Sequence, residues 1–486
     1  MESELNTSKE ILKFEKLKSQ KRSHTYIWYL LFVLSLIYIV DELASNLLNT
    51  LQVDMSYSIF PNLFEKNIYS ATGKFSLVSG VATAVLVFSM FYKPLADKYG
   101  RKPFLIINTF GMAFAVFLCS FARSESSFFL FWIGFFLLRF FVTPDEQVVY
   151  IIETVSEKNR AKTLGIIKGT AEIFLVVNSL LRMTFVGGDI FGSKATKQDN
   201  WYLVFLTIAI MCFVTALVAL LSAKETLPFI NNRLNQLKNN EENNKEKETK
   251  KYGFINSLKY IFTHKSLLFL CISTLLYSLS SSLISYYQTI FTSHRLALYS
   301  PNTATYSNDL VLQVSGEFNR LLFVYPFTCG LLTLIYGFFS DKIGRKKITI
   351  VLMSTSLTCF VIYLLLLIFV SPTPTLDYFL GLIIGVFLGS FWSSGDSLIM
   401  MAGESAKTER RVSVMTGQSL FFGTGQLSSL LFVLLIPIFG DNGVNEILKG
   451  IYCITVVGAC FSSSLLLLFL FVPETNKNKI EGLSHD

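Results

Sequence analysis

The chain has 486 residues, of which 52% are hydrophobic and only 16% charged, and its mean hydropathy is +0.50. Soluble domains carry about a quarter charged residues. A soluble enzyme, a disordered scaffold and a disulfide-rich secreted domain are therefore excluded, and a polytopic membrane protein remains; the formal charge of +8 matters by its placement, not its size.

The first 24 residues are polar and lysine-rich and form a tail. No small-residue cleavage site follows the first apolar block, so that block is expected to be a retained helix and not a signal peptide. A membrane span needs roughly 20 consecutive apolar residues. Blocks at 25–50, 72–92, 103–122, 127–152, 161–186 and 201–223 predict six spans. Between Asn231 and Tyr252 the chain is rich in Asn, Lys and Glu and has too little apolar surface to fold on its own. A linker at 224–264 is expected there. Blocks at 265–291, 318–340, 347–370, 376–403, 412–438 and 448–472 predict six more spans, followed by a tail at 473–486. The expected fold is all-α, with twelve transmembrane helices in two pseudo-symmetric six-helix bundles at 25–223 and 265–472. All seven cysteines lie within apolar blocks without metal-binding spacing, as expected of small buried hydrophobes.

Basic residues cluster at alternate span ends: the amino-terminal tail, Lys93 to Lys102, Lys158 to Lys162, the linker, Lys342 to Lys347 and Lys407 to Arg411. The positive-inside rule then places both termini and the linker in the cytoplasm, and the expected location is the plasma membrane.

Two charged signatures recur in the halves. Asp97-Lys-Tyr-Gly100-Arg101-Lys102 follows the second span, and Gly337-Phe-Phe-Ser-Asp341-Lys-Ile-Gly344-Arg345-Lys346 follows the eighth. Positive-inside charge on a short loop explains one copy but not two at matching places. The spacing Asp145, Glu153, Arg160 is repeated by Asp396, Glu404, Arg411. Each Asp lies about 12 Å deeper than its Glu at 1.5 Å per helical residue. Duplicated bundles rocking about a midplane site are how secondary transporters work.

At these residues the chain resembles the major facilitator superfamily, whose loop signature Gly-x-x-x-Asp-Arg-x-Gly-Arg-Arg/Lys is matched at 337–346. Within it the chain looks closest to the sugar-porter and metabolite-proton symporter branches, by Tyr150-Ile-Ile-Glu153 with Arg160-Ala161, by Tyr286-Tyr287-x-x-Ile-Phe and by Pro473-Glu474-Thr475 with its echo Lys224-Glu225-Thr226. It departs from sugar porters in carrying Ser280-Ser281-Ser282 in the seventh span. The resemblance implies a cytoplasmic gate built from Asp97, Gly100, Arg101, Gly337, Asp341, Gly344 and Arg345, with Glu153, Arg160, Glu404 and Arg411 as further members of its charge network.

Ionisable groups at bilayer depth cost about 2.5–3.5 kcal/mol each on insertion scales and are functional candidates by default. Asp41 and Glu42 in the first span lie at a depth matching Arg139 in the fourth, so a pair between them is expected, unless one acid reaches toward the outer interface. Nearer the cytoplasm are Asp145, Glu146, Lys168 and Glu172. Lys168 and Glu172, four apart, can pair with each other, or Lys168 can serve Asp145; Pro144 is expected to kink the fourth span. Tyr286, Tyr287 and Gln288, with Trp392, Asp396, Gln418 and Gln426, supply aromatic faces and hydrogen-bonding tips suited to a small polar molecule.

The expected function is secondary active transport of a small polar organic solute, a sugar or similar metabolite, by alternating access and proton-coupled symport. Proton-coupled efflux of drugs or metabolites is the alternative within the class, and a transporter-derived solute sensor the alternative outside it. His24, His264, His294 and His485 lie outside or at the edges of the spans and no nucleophile motif is present, so no enzyme is expected. The expected partners are the solute, protons and lipid, with the chain a monomer; no cofactor, metal or nucleic acid is expected.

Overall fold

The computed structural model describes residues 2–20, 24–66, 68–83, 85, 88, 92, 95–142, 144–155, 160–187, 198–242, 254–280, 287–300, 308–405, 411–427 and 446–475. Among them the regular structure is helical. The first half runs α1 (Glu2–Lys18), α2 (His24–Ser45), α3 (Leu47–Ile59), α4 (Pro61–Lys66), α5 (Ile68–Thr83), α6 (Leu95–Tyr99), α7 (Arg101–Cys119), α8 (Phe128–Phe141), α9 (Pro144–Thr154), α10 (Arg160–Phe174), α11 (Val176–Phe185) and α12 (Trp201–Ser222). Two helices, α13 (Leu227–Glu242) and α14 (Phe254–Thr263), lie between the halves. The second half runs α15 (Lys265–Leu279), α16 (Tyr287–Tyr299), α17 (Asn308–Ile343), α18 (Arg345–Phe369), α19 (Pro374–Ser405), α20 (Arg411–Gln426) and α21 (Glu446–Phe471). This is an all-α membrane fold of two six-span halves. Eight helical stretches among the described residues are long and apolar enough to cross a bilayer, and shorter helices overlap the described parts of the other four expected spans. Below, the near end is the one that carries α1 and the far end its opposite.

The spans bury one side and turn apolar side chains such as Ile210, Phe327, Phe369 and Phe469 outward. The fourth span breaks where Pro144 predicts it should. Helix α8 stops at Phe141, Val142 takes an extended backbone with ψ 104°, and α9 restarts at Pro144.

The halves meet most closely where α10 and α11 lie along α17. A Cβ on Gly165 would come within 2.7 Å of the Gly337 Cα, and one on Gly330 within 2.4 Å of the Gly169 carbonyl oxygen. Lipid tails give helices no hydrophobic reason to associate, so small residues that admit close backbone approach set where they pack. Gly337, expected in the near-end gate, is thus a contact point of the seam itself. Further along, the Ser179 hydroxyl donates to the Leu322 carbonyl at 2.8 Å.

Over-packing a close contact costs roughly 1–3 kcal/mol. Gly165→Leu is expected to lower the melting temperature of the detergent-purified protein measurably, whereas Gly458→Leu, at a site with open space around it, leaves it unchanged. Equal melting curves for the two variants would contradict the seam.

Candidate functional site

Three layers of polar chemistry cross the bundle. At the near end each half builds the same capped turn. Gly100 and Gly344 have φ of +112° and +105°, a left-handed conformation that favours glycine, and each turns the chain directly into the next helix. The Glu225 carboxylate accepts from the backbone N–H groups of Arg101 (2.9 Å) and Lys102 (3.2 Å). Glu474 accepts from those of Arg345 (2.7 Å) and Lys346 (3.3 Å). An acid here satisfies donors that have no partner within the helix and faces the positive end of its dipole. Burial pushes the Glu225 carboxyl above the usual range, while the N–H groups of Thr226, Arg101 and Lys102 oppose that rise. Around each cap the Arg guanidinium pairs with the next acid, Arg101 with Glu153 at 3.3 Å and Arg345 with Glu404 at 3.2 Å. The threonine after each capping Glu donates to that same acid, Thr226 to Glu153 at 2.5 Å and Thr475 to Glu404 at 2.9 Å.

Of the expected gate residues, Gly100, Arg101, Glu153, Gly344, Arg345 and Glu404 therefore form two matching networks, each contained within one half. The side chains of Asp97, Arg160, Asp341 and Arg411 lie outside the described residues. Glu225, Thr226, Glu474 and Thr475 were absent from the expected set, although the echoed Glu-Thr pair after the sixth and twelfth spans marked them.

At the far end, two buried ionic clusters have balanced charge. Arg182 on α11 is 1% exposed and donates to both oxygens of Asp54 on α3, at 2.8 and 3.0 Å. The same guanidinium crosses to α17, reaching the Ser315 hydroxyl at 2.7 Å and the Asn319 side-chain oxygen. Asn319 returns a hydrogen bond to the Gly187 carbonyl at 2.8 Å. Within the second half, Arg295 on α16 and Arg320 on α17 each donate to Asp377 on α19 at 2.9 Å, and Arg295 lies 3.6 Å from Glu317. Sequence reading passed over these residues because each lies near a span end, where charge is ordinary.

The middle layer holds most of the sequence-nominated residues. Lys168 on α10 pairs with Asp396 on α19 at 2.5 Å, joining the halves. The expected Lys168–Glu172 pair is not formed. Both side chains lie on the helix face pressed against the second half, so each finds its partner there, and Glu172 accepts from Thr333 at 2.5 Å and from the Cys329 thiol at 3.5 Å. The expected acid–Arg139 pair is also not formed directly. Asp41 accepts from the Gln147 amide at 3.4 Å and Glu42 from the Asn46 amide at 3.1 Å. Gln147, beyond the helix break at Val142, occupies the place opposite Asp41. The Arg139 guanidinium lies 5.4 Å from the Phe135 ring and within electrostatic range of Asp41.

Asp41 Oδ1, Gln147 Oε1 and Arg139 Nε are buried with no hydrogen-bond partner. Gln147 was not among the expected residues; it is a mid-span amide four residues before the Ile-Ile-Glu run. Trp392 stands one turn before Asp396, 38% exposed. Gln288 bridges the halves by donating to the Thr50 carbonyl at 3.4 Å, whereas Gln418 donates to Thr274 at 2.9 Å inside the second half. Tyr287 is buried against Phe318, with ring centroids 6.1 Å apart. Tyr286 and the side chains of Asp145, Glu146 and Gln426 lie outside the described residues. Among the described residues no cluster of His, Cys, Asp and Glu is arranged to hold a metal.

Two duplicated halves with a charged layer at mid-depth between them define a membrane transporter. The family model of the Major Facilitator Superfamily matches residues 30–307 and 297–485, and the chain belongs to that family, a family of transporters and not of enzymes. Among solved structures, the inward open xylose transporter XylE from E. coli superimposes with a TM-score of 0.63 at 13% identity, over 94% of this chain and 99% of that one. The fucose:proton symporter FucP of E. coli gives 0.59 at 11% identity, over 92% and 99%. At such identities the likeness concerns the fold alone. The multidrug resistance protein MdtL of Salmonella paratyphi A is 31% identical over 153 residues, which is 31% of this chain and 34% of that protein. The match thus spans about a third of that relative.

Removing one member of a buried ion pair costs about 3–5 kcal/mol, because the other is left charged and unpaired. Arg182→Ala is expected to lower the melting temperature and to speed thiol labelling of Thr50→Cys from the far side by at least tenfold. Arg182→Lys, a point charge without the guanidinium fork, is expected to fall between. Unchanged labelling in Arg182→Ala would mean that Arg182 does not hold the far end shut.

Proposed function

We propose that the protein is a secondary active transporter that carries a small polar organic solute across the plasma membrane by alternating access, coupled to protons. The near end is the cytoplasmic one, in keeping with the basic residues gathered there. The observation that carries this reading is the Lys168–Asp396 pair, an ionic contact at mid-depth between the two halves. Halves that rock apart must break it or carry it to one side, so any solute or proton that competes for either partner is tied to the motion. The matched near-end networks act as latches: each stiffens the turn of its own half, so the half moves as one body. With Asp97, Asp341, Arg160 and Arg411 they form the cytoplasmic gate. The linker 224–264 joins the bundles 25–223 and 265–472 without holding them rigidly.

Symport of a sugar or similar metabolite is supported by the fold shared with XylE and FucP. Export is supported by the sequence similarity to MdtL. Vesicles of opposite orientation separate the two by direction of flux.

In proteoliposomes, flux is expected to fall at least tenfold when the proton gradient is collapsed with an uncoupler. Asp396→Asn and Lys168→Met are each expected to lose coupled flux while remaining monodisperse, and Arg345→Ala to slow it without loss of folding. Flux indifferent to the gradient in the unaltered protein would replace proton coupling with facilitated diffusion.

A further inference from the structure

Among the described residues, the buried ionic groups at the far end balance one another and those at the centre do not. Arg182 answers Asp54, and Arg295 with Arg320 answer Asp377 and Glu317. The middle layer holds Asp41 and Glu42 from α2, Glu172 from α10 and Asp396 from α19, against Lys168 from α10 and Arg139 from α8. These groups lie within electrostatic range of one another in a connected set. From α9 the described side chain facing Asp41 is neutral Gln147, and α17 contributes neutral Thr333 and Cys329. Among the described side chains four carboxyls thus face two cations, a deficit of two positive charges. Asp41 and Glu172 are buried and Glu42, Arg139, Lys168 and Asp396 half-buried; uncompensated charge away from water favours a neutralising partner, so the layer favours uptake of positive equivalents.

The local geometry says what form they take. Asp41 is 4% exposed and its Oδ1 has no partner; Gln147 is 4% exposed and its Oε1 has none. Two buried acceptors on adjoining spans, one of them a carboxylate, lack a donor of positive charge. A neutral hydroxyl satisfies the acceptors but leaves the deficit to protons alone, and an anion enlarges it; a cation meets both needs at once.

Resting on the proton-coupled transporter reading above, and narrowing it, we propose that the solute is a small organic cation whose ammonium group is held by Asp41 and Gln147, and that it enters the layer in exchange for a proton. Without solute, two of the four carboxyls carry protons and the layer is neutral. When a monocation binds, its ammonium N–H groups donate to Asp41 Oδ1 and Gln147 Oε1, one proton leaves a carboxyl for water, and the layer stays neutral. No covalent bond to the solute forms or breaks. Trp392, exposed one turn from Asp396, offers an aromatic face to a cation of this kind. The coupling is then exchange and not symport.

The test varies charge on a constant skeleton. Purified protein is titrated with phenethylamine, 2-phenylethanol and phenylacetate, and separately with glucosamine, glucose and gluconate. Thermal stabilisation and proton release into weak buffer are both recorded, with sodium chloride as a further arm. In at least one skeleton the cation is expected to bind tenfold or more tightly than its neutral and anionic counterparts, releasing about one proton per cation bound. Asp41→Asn is expected to abolish that preference and Asp41→Glu to restore part of it, both judged on monodisperse protein. Tighter binding of a neutral or anionic member, stabilisation by sodium alone, binding without proton release, or no binding by either amine overturns the proposal. The comparison on unaltered protein decides even if the variants misfold. Amines that bind but are not carried into proteoliposomes would refute the transport reading and leave the ligand class standing; carried glucose with ignored amines would do the reverse.

Discussion

Lys168 and Asp396 make a contact that a membrane protein can keep only at a cost, because two charges leave water to meet at mid-depth. Their pairing fixes much else about the molecule. It requires α10 and α19 to lie within a hydrogen bond of each other at one level, so the halves must close tightly at that level. The glycines on α10 and α17 permit that closure: with Gly165 against Gly337 and Gly169 against Gly330, the backbones approach without side chains between them. The small residues admit the approach, and the ion pair gives it a register along the seam.

Above and below that level the structure solves a different problem in each direction. At the near end the chain must turn sharply between spans in a region rich in positive charge. Each half uses a left-handed glycine, a capping glutamate brought back from the end of its sixth span, and an arginine that ties the turn to the end of its fourth. All three ends are gathered within one half, which suits a body that moves whole. At the far end Arg182 does the opposite, reaching out of its own half to Ser315 and Asn319, so polar bonds there oppose separation of the halves. The two ends are thus built for different mechanical roles, rigidity within a half and closure between halves.

The span pattern was legible in the sequence because it depends on composition over some twenty residues, and so was the break at Pro144, which follows from a missing N–H. The duplicated Asp-x-x-Gly-Arg-Lys and Glu–Arg spacings located the near-end turns. Their full networks were only half visible, because Glu225 and Glu474 come from spans distant in the chain and only the echoed Glu-Thr pair hints at a shared task. The middle layer shows the limit most plainly. Depth along each helix follows from residue count, so Asp41, Arg139, Lys168, Glu172 and Asp396 were each nominated, but in three separate groups. Which partner each takes depends on helix rotation and on local breaks. Lys168 therefore pairs across the seam and not with Glu172, and Gln147, beyond the helix break, takes the place opposite Asp41.

Charge accounting adds something that no single contact displays. A far end that balances arginines against acids one for one shows that this chain can neutralise buried carboxyls when they serve closure alone. Among the described residues the centre is two positive charges short, although the chain as a whole is net basic. That imbalance lies at the level of the Lys168–Asp396 contact, which crosses the seam between the halves. In the proposed exchange, a cation held by Asp41 and Gln147 enters the same electrostatic layer as Lys168, so its charge would be felt at the contact between the halves. On the proposed reading the deficit and the seam act together: the first would select what binds, and the second would make its binding felt by both halves at once.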